Sequence, residues 1–219
     1  MPTRREVLLG LIAAPLAASH ASPIAEFNSE PEIRPEPHCL SQESAQGFGL
    51  LLKKKTGARQ NIIILPASRD LSDRSASELL RKVLAGAWLI YESGLCFSSK
   101  DESLRQCRLL REIFGLDVAP PLSISGLAPK TFYVQYLWPL EKLVRSFHAI
   151  TPVRCAPEET IAEFQGMPVC ARRFLGNGGV VYLGSMLGAG LFAEEREAHR
   201  IGNAMLAGLR QGARNDSNF

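Results

Sequence analysis

Cysteine is the most reactive side chain here, and its five copies, Cys39, Cys96, Cys107, Cys155 and Cys170, are widely separated. No two form a CxxC pair, so neither a zinc ribbon nor a thioredoxin-type redox motif is supported. The odd number leaves at least one thiol free or bridged to another molecule. In an oxidising compartment others can pair, and simple burial is the plainest state for most of them. His38 and Cys39 are adjacent metal-ligand types, but a proline-rich stretch does not hold such a pair rigid, so no metal site and no cofactor are expected. Glu92 ends an apolar run. An acid there is functional if buried; a solvated or arginine-paired carboxylate is the plainer expectation. The loop Gly184-Ser185-Met186-Leu187-Gly188-Ala189-Gly190 precedes a helix and offers backbone N–H groups to an anion. It lacks the Walker lysine and the dinucleotide-binding spacing, which favours a turn that lets a helix pack closely. Trp88 and Trp138 are expected in the core.

The elements that position these residues centre on 61–98. Ile62 to Leu65 is a contiguous apolar run, three of its residues β-branched, as in a strand covered on both faces. Pro66 removes a backbone donor and ends the pairing. Ser72 or Asp73 supplies an N-cap, Leu79, Leu80, Val83 and Leu84 share one helical face, and Gly86 takes the C-cap glycine position. Ala87 to Tyr91 is the next buried strand. Strand, helix and strand in so short a span predict a right-handed parallel βαβ unit. Ligands collect at the carboxyl ends of such strands. Ser68, Arg69, Glu92, Ser93 and Gly94 are therefore candidate ligand-binding residues, with Ser185 from the late loop.

The remaining chain divides as follows. Thr3-Arg4-Arg5 precedes the apolar stretch Gly10–Ala18 and the small residues Ser19-His20-Ala21. This is an export signal over 1–21, too short for a comfortable membrane span. Its paired arginines resemble a twin-arginine signal, although Val7 stands where that motif usually has Phe. Periplasmic or secreted localisation follows, the membrane being met only through the signal. Pro23, Pro31, Pro35 and Pro37 mark a linker over 22–41. A single domain is expected over 42–212, with a frayed tail at 213–219. Within it, helices are predicted over Gln42–Lys55, Lys100–Phe114 and Glu194–Leu209, and a short one at Pro139–Val144. Thr131–Trp138 and Ser146–Val153 read as strands, and Met167–Phe174 and Gly179–Gly184 as a hairpin around Gly176-Asn177-Gly178-Gly179. The net charge of +3, spread thinly apart from Lys53-Lys54-Lys55, excludes a nucleic-acid surface.

The motifs Ile62–Pro66, Gly86–Gly94 and Gly179–Ser185, in that order, resemble the class I glutamine amidotransferase-like superfamily. The likeness is greatest to its divergent, often non-enzymatic branches, such as the trimerisation domains of some β-galactosidases. It spans roughly Gly47 to Leu209. It implies a flavodoxin-like three-layer α/β/α sandwich with a mostly parallel sheet, here with a C-terminal β-hairpin plus closing helix. Enzymes of the superfamily place a cysteine on a tight strand-to-helix turn, with a histidine and a carboxylate late in the chain. Cys96 stands near that turn but lacks the second flanking glycine. The late histidine's place holds Ser185-Met186-Leu187-Gly188, His199 lies inside the closing helix, and His148 is upstream. Glu194 and Glu195 read as helix-start acids. The resemblance thus implies a non-catalytic exported domain that binds a small molecule or a protein partner at its strand ends. The alternative is a thiol-dependent amidase or hydrolase using Cys96, with His148 and Glu92 as further catalytic candidates. A homo-oligomerisation module is a third reading.

Overall fold

The computed structural model describes residues 38–53, 62–68, 71–93, 100–123, 133–147 and 149–215. The export signal and the candidates Arg69, Gly94, Cys96 and His148 lie outside the described residues, as does the linker up to residue 37. Helix α1 runs His38–Lys53, so the chain is already helical at the end of the expected linker. Strand β1 (Ile62–Ser68), helix α2 (Asp73–Leu84) and strand β2 (Trp88–Ser93) follow, with β1 and β2 parallel. Ser72 is the N-cap, its Oγ accepting from the Ser75 N–H at 3.2 Å. Gly86 ends the helix at φ +108°, a conformation that favours glycine. Its N–H reaches Val83 O (2.9 Å) while Ala87 N–H reaches Lys82 O (3.0 Å), the bond pair of a Schellman ending.

Helix α3 (Lys100–Phe114) comes next. The short strands β3 (Asp117–Val118) and β4 (Leu122–Ser123) pair with β8 (Val153–Arg154) and β7 (Ala149–Ile150) in two small ladders. The main sheet adds β5 (Tyr133–Tyr136), β6 (Lys142–Arg145), β9 (Thr160–Phe164), β10 (Met167–Leu175) and β11 (Gly178–Leu183). Helices α4 (Leu187–Phe192) and α5 (Arg196–Asn215) close the chain.

The sheet has seven strands in the order β1-β2-β11-β10-β9-β5-β6. Only β1–β2 and β2–β11 are parallel; every later pair is antiparallel. The sheet is mixed and strongly curled, like half a barrel. The expectation of a mostly parallel, flavodoxin-like sandwich is therefore corrected. Hairpin connections from β9 through β11 force the strands after β11 to alternate, and a doubly wound sheet cannot be built from them. One sheet face packs Phe48 and Leu51 of α1, Leu187 and Leu191 of α4, and Ile201, Met205 and Leu206 of α5 over Ile90, Val181 and Leu183. The other packs Leu79 and Val83 of α2 and Leu109, Leu110 and Phe114 of α3 over Leu89, Tyr91 and Tyr182.

Three local expectations are also corrected. Pro139–Val144 is not a helix: a turn with a cis Trp138–Pro139 bond leads into β6, whose Val144 pairs with Val134 and is buried beside it. Gly184–Gly190 is not all loop, since Leu187 opens α4. Ser146–Val153 is broken, contributing only to β7 and β8. Among the described residues no helix is long and apolar enough to cross a membrane.

Candidate functional site

Alternation along β2 sends Glu92 to the α1/α4 face of the sheet and Ser93 to the α2/α3 face. Glu92 is fully buried. One of its carboxylate oxygens accepts the Ser44 hydroxyl of α1. The other accepts the Gly188 N–H of α4 at 2.8 Å. A buried acid is costly unless hydrogen-bonded, and here the bonds run to two helices at once. The helices meet through small residues. A Cβ on Gly188 would lie under 3.0 Å from Ser44 and Phe48, and one on Gly47 under 3.0 Å from Gly188 O and Phe192 N. Ser44, Phe48 and Leu51 stand at i, i+4 and i+7, so the serine belongs to the apolar stripe of α1 and faces the sheet.

Ser185 lies on the same sheet face. Its hydroxyl is 2.9 Å from the Tyr136 hydroxyl, with the Cys170 sulfur at 3.7 Å from it and 3.9 Å from Tyr136 Oη. Burial pushes the Tyr136 phenol well above its usual range, and the neighbouring Cys170 adds to it. Burial pushes the Cys170 thiol up to about 11. A thiol so placed is not a nucleophile near neutral pH; its hydrogen bonds with Ser185 and Tyr136 pull the other way but burial outweighs them. Across the sheet, the buried Tyr182 hydroxyl donates to the Thr151 carbonyl at 3.4 Å, and its ring stacks on Tyr91 at 6.2 Å. Gln106 Nε2 donates to the Tyr91 hydroxyl at 3.1 Å.

The candidate ligand residues are thus not one constellation. Glu92 and Ser185 serve one face and Ser93 the other, while Ser68 pairs with Ser93 in the β1–β2 ladder. Sequence reasoning missed Ser44, Tyr136, Cys170 and Gly188 as their partners. Cys107 and Cys155 are free, part-buried thiols, both pushed up by burial. Among the described residues no three His, Cys, Asp or Glu side chains are grouped to hold a metal ion. Trp88 is buried as expected, but Trp138 is only partly so. The Arg172 guanidinium lies over the Trp138 ring at 4.4 Å and over Phe174 at 5.4 Å.

The other notable surface is the β5–β6 end of the sheet. Tyr133, Gln135, Leu143 and Arg145 alternate away from the core. Tyr133 is 47% exposed and Leu143 60%; Leu137 and Leu140, in the turn between the strands, are each 42% exposed. β6 is an edge strand.

No protein-family model and no curated protein matches the chain. Several solved structures share its fold. Gan42B, a GH42 β-galactosidase from G. stearothermophilus, superposes with a TM-score of 0.51 at 15% identity, over 77% of this chain and 27% of that one. The exo-β-1,4-mannosidase Op5Man5 from Opitutaceae bacterium strain TAV5 gives 0.52 at 11% identity, over 77% and 31%. Cytoplasmic protein STM1381 from Salmonella typhimurium LT2 gives 0.52 at 10% identity, over 77% and 86%. The chain spans about a quarter of the β-galactosidases it matches, between 22% and 27% of their length. At these identities the likeness is one of fold. It nevertheless overturns the amidotransferase-like reading: the fold is shared with glycoside hydrolases, on a mixed sheet. The ligand- or protein-binding domain expected at the strand ends, and the Cys96 amidase offered as its alternative, fall with it.

Proposed function

We propose that this chain is an assembly domain, a rigid α/β body that self-associates through the β5–β6 end of its sheet and carries out no chemistry of its own. The observation that carries the reading is the group Tyr133, Leu137, Leu140 and Leu143, four large apolar side chains exposed on β5, on the turn after it and on the edge strand β6. Scattered surface leucines need no explanation, but a cluster beside an open edge is what association covers. The interior supports the same reading. Glu92 is engaged by Ser44 and Gly188, and the Cys170 thiol is buried. The glycoside hydrolases sharing the fold carry it as one part of a longer chain, which supports a role beside other domains or subunits. The N-terminal residues support export as the setting of that role. Light scattering on size-exclusion fractions over a concentration series tests the proposal. A mass that is a multiple of the chain's, falling on dilution, is expected; one chain's mass at every concentration overturns it.

A further inference from the structure

The inference that follows rests on the self-association reading and names its partner surface. β6 is short, and the backbone groups of its odd-numbered residues point away from β5. The direction follows from β5, where the Leu137 N–H donates to Ile161 O of β9 at 2.9 Å: odd-numbered residues of β5 bond β9 and even-numbered ones bond β6, so the odd-numbered residues of β6, opposite the odd-numbered ones of β5, turn outward. Since Arg145 and Leu143 pair with Tyr133 and Gln135 two residues apart, they share one parity of an antiparallel ladder. The N–H and C=O of Leu143 therefore also face outward. The Glu195 carboxylate lies near Arg145 at one end of the edge, and Leu143 is the outward-facing rung at its middle.

The sequence about that rung is Glu141-Lys142-Leu143-Val144-Arg145. Consider a second copy brought up antiparallel about a two-fold axis at Leu143. Leu143 then faces Leu143 of the other copy, and Glu141 faces Arg145 twice, once on each side of the axis. Directly opposed residues of an antiparallel pair lie on the same side of the sheet. The two leucines and both acid–base pairs thus fall together on the exposed face that already carries Tyr133 and Gln135. A shift of the axis by one residue, to Val144, would set each Leu143 against an Arg145 and lose both acid–base pairs. Glu141, Lys142 and Arg145 are all exposed. Around them, Arg145 also lies over the Phe147 ring at 5.3 Å, and Glu141 faces Gln135 Nε2 at 3.5 Å. Neither contact buries the charge.

We infer that the chain forms a two-fold dimer by antiparallel pairing of β6 with β6 of a second copy, with Leu143 on the axis and Glu141 opposite Arg145. An isologous contact of this kind closes on itself and leaves no further edge at that end.

Sedimentation velocity on the wild type and four variants tests it, with circular dichroism melts to confirm folding; all the substituted side chains are exposed. Leu143→Asp sets two carboxylates face to face and should raise the dimer dissociation constant at least 100-fold. Glu141→Arg and Arg145→Glu each oppose like charges twice and should raise it about 10-fold or more. The double exchange Glu141→Arg with Arg145→Glu recreates both pairs in reverse and should return within a few-fold of wild type. A double variant no better than either single one overturns the register, and a Leu143→Asp protein that still dimerises overturns the pairing while leaving self-association intact. A wild type that is monomeric throughout overturns both.

Discussion

Replacing Glu92 with alanine tests whether its carboxylate is a structural clamp. The substitution removes the acceptor of two buried donors, the Ser44 hydroxyl and the Gly188 N–H. A buried donor left without a partner costs about 1–3 kcal/mol. The space left by the carboxylate adds a cavity contribution, so the variant should lose about 3–5 kcal/mol, in the upper range for one substitution. Glu92→Gln is the decisive comparison. Its amide oxygen can still accept from Gly188, and its NH2 can donate to a rotated Ser44 hydroxyl, so about 1 kcal/mol should be lost. With a urea slope near 2 kcal/mol/M, the alanine midpoint should fall by about 2 M and the glutamine midpoint by about 0.5 M. Ser44→Ala combined with Glu92→Ala should cost less than the sum of the two, because both singles break one bond. An alanine variant as stable as wild type, or a glutamine variant as damaged as the alanine one, refutes the clamp.

Three further outcomes follow from the same packing. Gly188→Ala should destabilise by several kcal/mol, since its Cβ would enter the Ser44 backbone and side chain; a thermal melt measures it, and Gly49→Ala, which meets nothing within 4 Å, is the control. Alkylation with peptide mapping at pH 8 should leave Cys170 unmodified until denaturant is added, because burial holds its thiol near 11 and out of reach. Arg173 makes two 2.7 Å bonds to the Glu159 carboxylate, and those bonds hold Glu159 below its ordinary value of 4.5. The depressed carboxyl contributes stability that is present above pH 4.5 and lost as pH falls through its lower folded value. Arg173→Ala should therefore flatten the acid limb of the stability profile below pH 4.5, measured by chemical denaturation at stepped pH.

The β1–α2–β2 unit was legible because each signal in it is local: contiguous branched residues, a serine cap and a glycine that must take positive φ. The hairpin of β10 and β11 was legible for the same reason. Strand order was not, because nothing in Gly178–Leu183 says that this last strand slots beside β2 and parallel to it. β6 misled in an instructive way. Leu140, Leu143 and Val144 stand at i, i+3 and i+4, the spacing of a helical stripe. In the fold only Val144 is buried, and the two leucines are exposed. The spacing was accidental to the core and belongs to the surface. β9 escaped notice because Ile161 and Ala162 are both buried and break simple alternation.

At the site, Glu92 was legible as an acid in an apolar place, but its partners lie 48 residues before it and 96 after it. No periodicity reaches that far; the available signal was a serine set in the apolar stripe of α1. Topology then decides what such an acid can be. In a parallel sheet the carboxyl ends of neighbouring strands open a common crevice, and an acid there meets ligand. Here β10 runs against β11, so the end of β11 adjoins the start of β10, and Thr151 N–H bonds Gly184 O across it at 2.7 Å. α1 and α4 cover the Glu92 side of the sheet, touching through Gly47 and Gly188. An acid whose crevice is filled by two helices ties them to the sheet.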